Sequence, residues 1–143
     1  MTLLMRTAGV TVLGLSVVAC GGGGPGGDEG AIKDVLRDFF QAFENKDEEA
    51  LASLLSDDCE DAESRATEAI DDFLDRTTGV DVKFDITGVD IRDLTETTAE
   101  AIPQGNSSFD GEEFPLVDSD SPEYTRLIKV EGEWKLADCN ILF

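Results

Sequence analysis

The chain has 143 residues, 11 basic and 32 acidic, with no histidine and a net charge of −21. That balance argues against nucleic-acid binding, because phosphate recognition needs clustered Lys and Arg, and it disfavours direct docking on anionic lipid. The missing histidine removes the commonest general base and the commonest zinc ligand together.

The N-terminus carries one positive charge, Arg6, and then an uncharged apolar run from Thr7 to Val18. The run is about a dozen residues, short of the ~20 needed to cross a bilayer. Val17-Val18-Ala19-Cys20 then leads into Gly21-Gly22-Gly23-Gly24. This order is that of an export signal, and a cysteine at the cleavage point resembles the lipobox of bacterial lipoproteins. The resemblance implies a diacylglyceryl group on the Cys20 thiol and cleavage before it. The alternative is an ordinary secretory signal cut near Ala19. On the first reading, residues 1–19 are the signal peptide and residues 20–30 the lipidated cysteine with a Gly-rich tether. Ten residues of such coil reach roughly 17 Å, and acyl chains hold a terminus at a membrane at ~0.8 kcal/mol per buried methylene.

From Cys20 onward, 10 basic residues face 32 acidic ones, a net of −22. The plain reading is a solvated, self-repelling surface that keeps a tethered domain soluble. Divalent-cation binding and a high-salt habitat are the sharper alternatives. Residues 31–143 are a common size for one domain with one core.

Ile32, Val35, Leu36, Phe39, Phe40 and Phe43 recur at helical spacing, and Asp28 and Glu29 stand where a helix dipole favours negative charge. Asp47 then caps a short second helix burying Ala50, Leu51, Leu54 and Leu55. A third helix is expected from about Glu60 to Arg76, burying Ala62, Ala66, Ala69, Ile70, Phe73 and Leu74, and stopped by Thr77-Thr78-Gly79.

The period then changes to two. Val80, Val82, Phe84 and Ile86 alternate with polar residues, Gly88 marks a bend or bulge, and Val89 and Ile91 resume in the opposite phase. Thr95–Ile102 reads as the next strand, and Pro103–Pro122 mainly as a long loop held down by Phe109, Phe114, Leu116 and Val117. Tyr124–Val130 and Glu133–Leu142 are the last two strands, joined by a tight Glu131-Gly132 turn. The layout is α+β, three N-terminal helices on one face of a twisted antiparallel sheet of about four strands.

An opening amphipathic helix, then Phe43-Glu44-Asn45-Lys46-Asp47-Glu48-Glu49-Ala50-Leu51 running into Leu54-Leu55, resembles the start of the nuclear transport factor 2-like superfamily. The closing Lys129-Val130-Glu131-Gly132-Glu133-Trp134-Lys135-Leu136-Ala137-Asp138 resembles its last hairpin. The resemblance implies a cone, with a sheet wrapped around the long helix and a pocket between them. It leaves activity open, since such domains include isomerases, hydrolases, dehydratases and plain binding modules.

Within the domain, Cys59 and Cys139 form an even pair, and in an exported chain such a pair reads as a disulfide. The alternative is two small buried hydrophobes. An isomerase-like site would draw on Tyr124, Asp138 and Asp85, though nothing in the sequence puts them on one face. Asp118-Ser119-Asp120-Ser121-Pro122-Glu123 alternates oxygen ligands as calcium loops do, but lacks their Gly and distal Glu; Asp110-Gly111-Glu112-Glu113 is no stronger. No metal and no cofactor are expected. Phe39, Phe43, Phe73, Tyr124 and Trp134 are the aromatics expected near the mouth of the cone, with simple core packing as the alternative. The sequence therefore points to a membrane-anchored extracytoplasmic lipoprotein whose non-catalytic domain binds a small apolar ligand or a partner. A same-fold enzyme and a homodimerisation module are the alternatives.

Overall fold

The computed structural model describes residues 25–117 and 123–140; Cys20, the segment expected to be a signal peptide and most of the Asp118–Glu123 run lie outside them. Three helices, α1 (Pro25–Asn45), α2 (Glu48–Leu54) and α3 (Ala62–Arg76), precede five strands. These are β1 (Val82–Arg92), β2 (Thr98–Phe109), β3 (Glu112–Pro115), β4 (Thr125–Val130) and β5 (Glu133–Leu136). Pairing is antiparallel in the order β1-β2-β4-β5, with β3 added to β2.

The long helix buries the face its spacing predicts: Ile32, Leu36, Phe40 and Phe43 are all buried. It starts earlier than expected, so residues 25–30, read from sequence as tether, are helical. Proline suits a first helical turn, where its missing N–H costs no hydrogen bond. The turn is also tied down, because Asp28 accepts from Lys129 Nζ and Trp134 Nε1.

Asp47 caps α2 as expected, its side chain accepting from Ala50 N at 2.9 Å. At its other end Leu55 makes a parallel bridge to Leu136, and Ser56 N donates to Leu136 O, covering part of the free edge of β5. Thr77 and Thr78 close α3 by bonding back to Phe73 O and Leu74 O, and Gly79 follows at φ +81°.

Two apolar layers result. Ile32 and Leu36 meet Ala99, Ala101, Leu127, Trp134 and Leu136 between α1 and the sheet. Phe43, Leu51, Ala66, Ile70 and Phe73 pack among the helices, with Val82 and Phe84 joining from β1. Phe39 touches both layers.

β1 shifts register between Ile86 and Gly88, so Thr87 is the extra residue of a bulge. The freed Thr87 carbonyl accepts from Lys33 Nζ of α1, at 2.9 Å. Bulges bend a strand and increase its twist, which curves the sheet over α1.

The segment read as a loop from Pro103 is the largest departure. β2 continues through Pro103 to Phe109 and turns at Asp110-Gly111, whose φ values of 51° and 87° mark a type I′ hairpin into β3. Proline is tolerated in this strand because of where it lies. β4 pairs with residues 98–101 of β2 and β3 with residues 106–109, leaving the stretch between them open on that edge. Gln104 O accepts from Thr87 of β1, whereas Gly105 O accepts from Leu116 N on the other side. By alternation the Pro103 backbone faces the open stretch, where no strand asks for its N–H. The final strand also ends at Leu136, short of the expected Leu142, because the chain turns away to the disulfide at Cys139.

Candidate functional site

The stretch of β2 that neither β3 nor β4 pairs contains Pro103, which lines the candidate site. A cavity of about 450 Å³ lies between α1 and the sheet beside it. Leu36, Phe39 and Phe40 of α1 and Phe84 of β1 supply an apolar wall, and Pro103, Ser107 and Phe109 of β2 face them. Leu116, Val117, Glu123, Tyr124 and Thr125 come from the β3–β4 connection and the start of β4, and Leu136, Asp138 and Asn140 from the C-terminal end. Glu123 and Asn140 are exposed, so they mark the mouth. The volume falls within the usual ~300–1,000 Å³ of small-molecule sites, at the small end.

The side chains at the polar end are held by neighbours. Arg126 grips Asp138 through both Nε and Nη2, and the pairing raises the Arg126 pKa further above its ordinary value. Arg92 lays its guanidinium 3.4 Å from the Tyr124 ring centroid and pairs with Glu100 at 3.6 Å. Ser107, buried beneath the β3 hairpin, points its hydroxyl at Phe114 O.

Of the five aromatics expected at the mouth, Phe39 and Tyr124 line the cavity. Phe43 and Phe73 stack edge to face at 5.3 Å in the inter-helix layer and border a separate groove near Gly79. Trp134 is buried beside the first turn of α1, its indole N–H donating to Asp28 at 3.1 Å. Asp28 is held below its ordinary pKa by the hydrogen bond from Lys129 first and that from Trp134 second.

The trio nominated for acid–base work is not assembled. Tyr124 and Asp138 share the cavity, but Asp85 is exposed on β1 opposite Asn106. Cys59 and Cys139 are bonded, with Cα atoms 5.4 Å apart, and the bond fastens the wall segment that carries Asp138 and Asn140. Asp110 serves its hairpin, accepting from Asp81 N at 2.9 Å. Among the described residues, no three His, Cys, Asp or Glu side chains stand together as a metal site, and no helix is long and apolar enough to cross a membrane.

Sequence reasoning missed the β2 wall. Its signal was there in the alternation of Ala101, Pro103, Gly105, Ser107 and Phe109, a period of two running on past the proline. Phe109, Leu116 and Val117, expected to pin a loop, line the cavity instead.

No protein-family profile and no curated protein matches this chain. Solved structures do. A protein of unknown function from Mycobacterium tuberculosis, solved as a single-residue variant, aligns with a TM-score of 0.58 at 17% identity, over 80% of this chain and 72% of its own. A protein described as a "Putative Scytalone Dehydratase" from Novosphingobium aromaticivorans gives 0.54 at 15% identity, over 76% and 78%. A domain of unknown function with a cystatin-like fold from Nostoc punctiforme gives 0.53 at 15%, over 77% and 73%. At such identities the likeness carries the fold and nothing finer. The chain has the cystatin-like, nuclear transport factor 2-like fold, three helices on a curved antiparallel half-barrel.

Proposed function

We propose that this chain is a lipid-anchored protein of the cell envelope, facing away from the cytoplasm, whose domain binds a small apolar ligand without transforming it. The cavity beside the β3–β4 gap carries the reading: five apolar side chains, Leu36, Phe39, Phe40, Phe84 and Phe109, converge on a space sized for one small molecule. The export signal and Cys20 supply the address, and the Cys59–Cys139 bond suits a compartment that does not reduce disulfides. The absence of histidine and the outward position of Asp85 weigh against acid–base chemistry in the cavity.

Two measurements test it. Mass spectrometry of the mature protein is expected to find acyl chains on Cys20, and an unmodified N-terminus there removes the anchor. Thermal-shift screening of the full chain with Cys20→Ser against small apolar compounds is expected to raise the melting temperature, and Val117→Trp, which fills the cavity from its wall, is expected to abolish that rise. No stabilisation by any apolar compound removes the ligand.

A second reading, a dehydratase-like enzyme, has one observation in its favour: Tyr124 and Asp138 meet in the same cavity. Turnover of a bound compound, lost in Tyr124→Phe, would establish it in place of plain binding.

A further inference from the structure

We propose that the cavity selects a cationic ligand, a compact apolar body bearing one protonated amine. The inference rests on the binding reading above and adds the chemical class of the occupant. Its basis is the contrast between the two ends of the cavity. The inner wall is mostly hydrocarbon and rings, with the Ser107 hydroxyl as its buried polar group, whereas the mouth carries the charged Glu123 and Asp138 together with Asn140. Glu123 and Asp138 are the charged side chains among the described lining residues, and both are acidic.

The nearby cations are already committed. Arg126 gives its Nε and Nη2 to the two Asp138 oxygens. Arg92 is spent on Glu100 and on the Tyr124 ring. No lysine or arginine is among the described lining residues, and the chain as a whole is at −21. A carboxylate or phosphate entering this mouth would meet the exposed Glu123 carboxylate while Arg126 is already paired with Asp138, and like charges set side by side oppose binding. An ammonium is the complement. It carries three donors and no acceptor, the Glu123 carboxylate at the rim is an acceptor only, and the Asn140 amide there can turn its carbonyl to the same group. The field of the acidic surface would also raise the local concentration of a cation and speed its encounter.

The test is a titration of the full chain carrying Cys20→Ser, which removes the acyl group, with octylamine, octanol and octanoate followed calorimetrically. Octylamine is expected to bind at least tenfold more tightly than octanoate, with octanol between them. Glu123→Gln is expected to narrow that spread, and Asp138→Asn, which releases Arg126, to improve octanoate in particular. Val117→Trp is expected to abolish octylamine binding. Octanoate binding as tightly as octylamine, or an unchanged preference in Glu123→Gln, overturns the proposal while leaving the cavity as a binding site. Octylamine binding that survives Val117→Trp overturns it as well, by placing the amine on the acidic surface. If none of the three compounds binds, the proposal falls, and the binding reading falls with it only when the thermal-shift screen finds no other apolar ligand.

Discussion

Asp28 and Lys129, 101 residues apart in sequence, form an ion pair of 2.6 Å that joins the first turn of α1 to β4. Both side chains are about four-fifths covered, and Trp134 adds a second donor to the same carboxylate oxygen. The carboxyl is held below its ordinary value, so its contribution to stability is complete above the unfolded pKa of about 3.9 and is lost as pH falls through the lower folded value. Asp28→Asn is therefore expected to melt below the unsubstituted protein at pH 7, with the gap shrinking below about pH 4. Melting curves at pH 7, 5 and 3 check this; a gap that does not change with pH would show that the carboxylate charge contributes nothing.

The Cys59–Cys139 bond closes a loop with a sequence separation of 80. In the chain-entropy account a loop of that length stabilises the fold by about 4–5 kcal/mol. Cys59→Ser with Cys139→Ser is expected to lose about 2–5 kcal/mol in denaturant unfolding. Because the bond also fastens the segment bearing Asp138 and Asn140, ligand affinity should fall even at temperatures where the variant stays folded. Free, alkylatable thiols on the folded unsubstituted protein would end the claim.

Gly105 crosses β1 more closely than any side chain permits. A Cβ there would stand 1.8 Å from Asp85 O, and its φ of +152° is one that glycine adopts and other residues rarely do. Gly132 also has positive φ, +90°, but nothing lies within 4 Å of where its Cβ would be. Gly132→Ala is expected to cost about 1–2 kcal/mol from left-handed strain. Gly105→Ala should cost clearly more, since backbone must move as well. Equal unfolding free energies for the two variants would contradict the close crossing.

Self-repulsion at a net charge of −21 should weaken the compact state at low ionic strength. The Debye length falls from about 30 Å at 0.01 M salt to about 3 Å at 1 M. The melting temperature at pH 7 is accordingly expected to climb by several degrees as sodium chloride rises over that range. Sodium and calcium chlorides matched in ionic strength separate screening from specific binding: a calcium excess abolished by chelator would bring the cation reading of the acidic surface forward.

Much of the architecture was legible before any coordinates because it is written in local periodicity. The i, i+3, i+4 recurrence from Ile32 to Phe43, the Asp47 cap, the switch to alternation near Val80, two residues before β1 begins, the bulge near Gly88 and the Glu131-Gly132 turn each depend on a few neighbouring residues. Each has one cheap conformation. The hairpin at Asp110-Gly111 was not legible in this way: Pro103–Pro122 reads as a loop from its Gly, Pro, Ser, Asn and Asp content, even though Asp-Gly is among the strongest turn signals, and a proline within a strand ordinarily counts against it. That objection fails only because β3 and β4 leave the middle of one β2 edge unpaired, a fact of strand order rather than of sequence.

The cavity belongs to that second kind of fact. Phe39 and Tyr124 line it while Phe43, Phe73 and Trp134 do not. Five aromatic residues look alike in a sequence; which of them meets open space depends on sheet curvature and on where two strands stop short of each other. Sequence alone determined the charge, the absence of histidine and the order of the elements other than β3, because these are properties of single residues or short windows. Tertiary structure decided that Asp138 stands with Tyr124, that Asp85 stands apart, and that Asp28 reaches Lys129. Those distances arise from packing between segments up to a hundred residues apart, and no local preference encodes them.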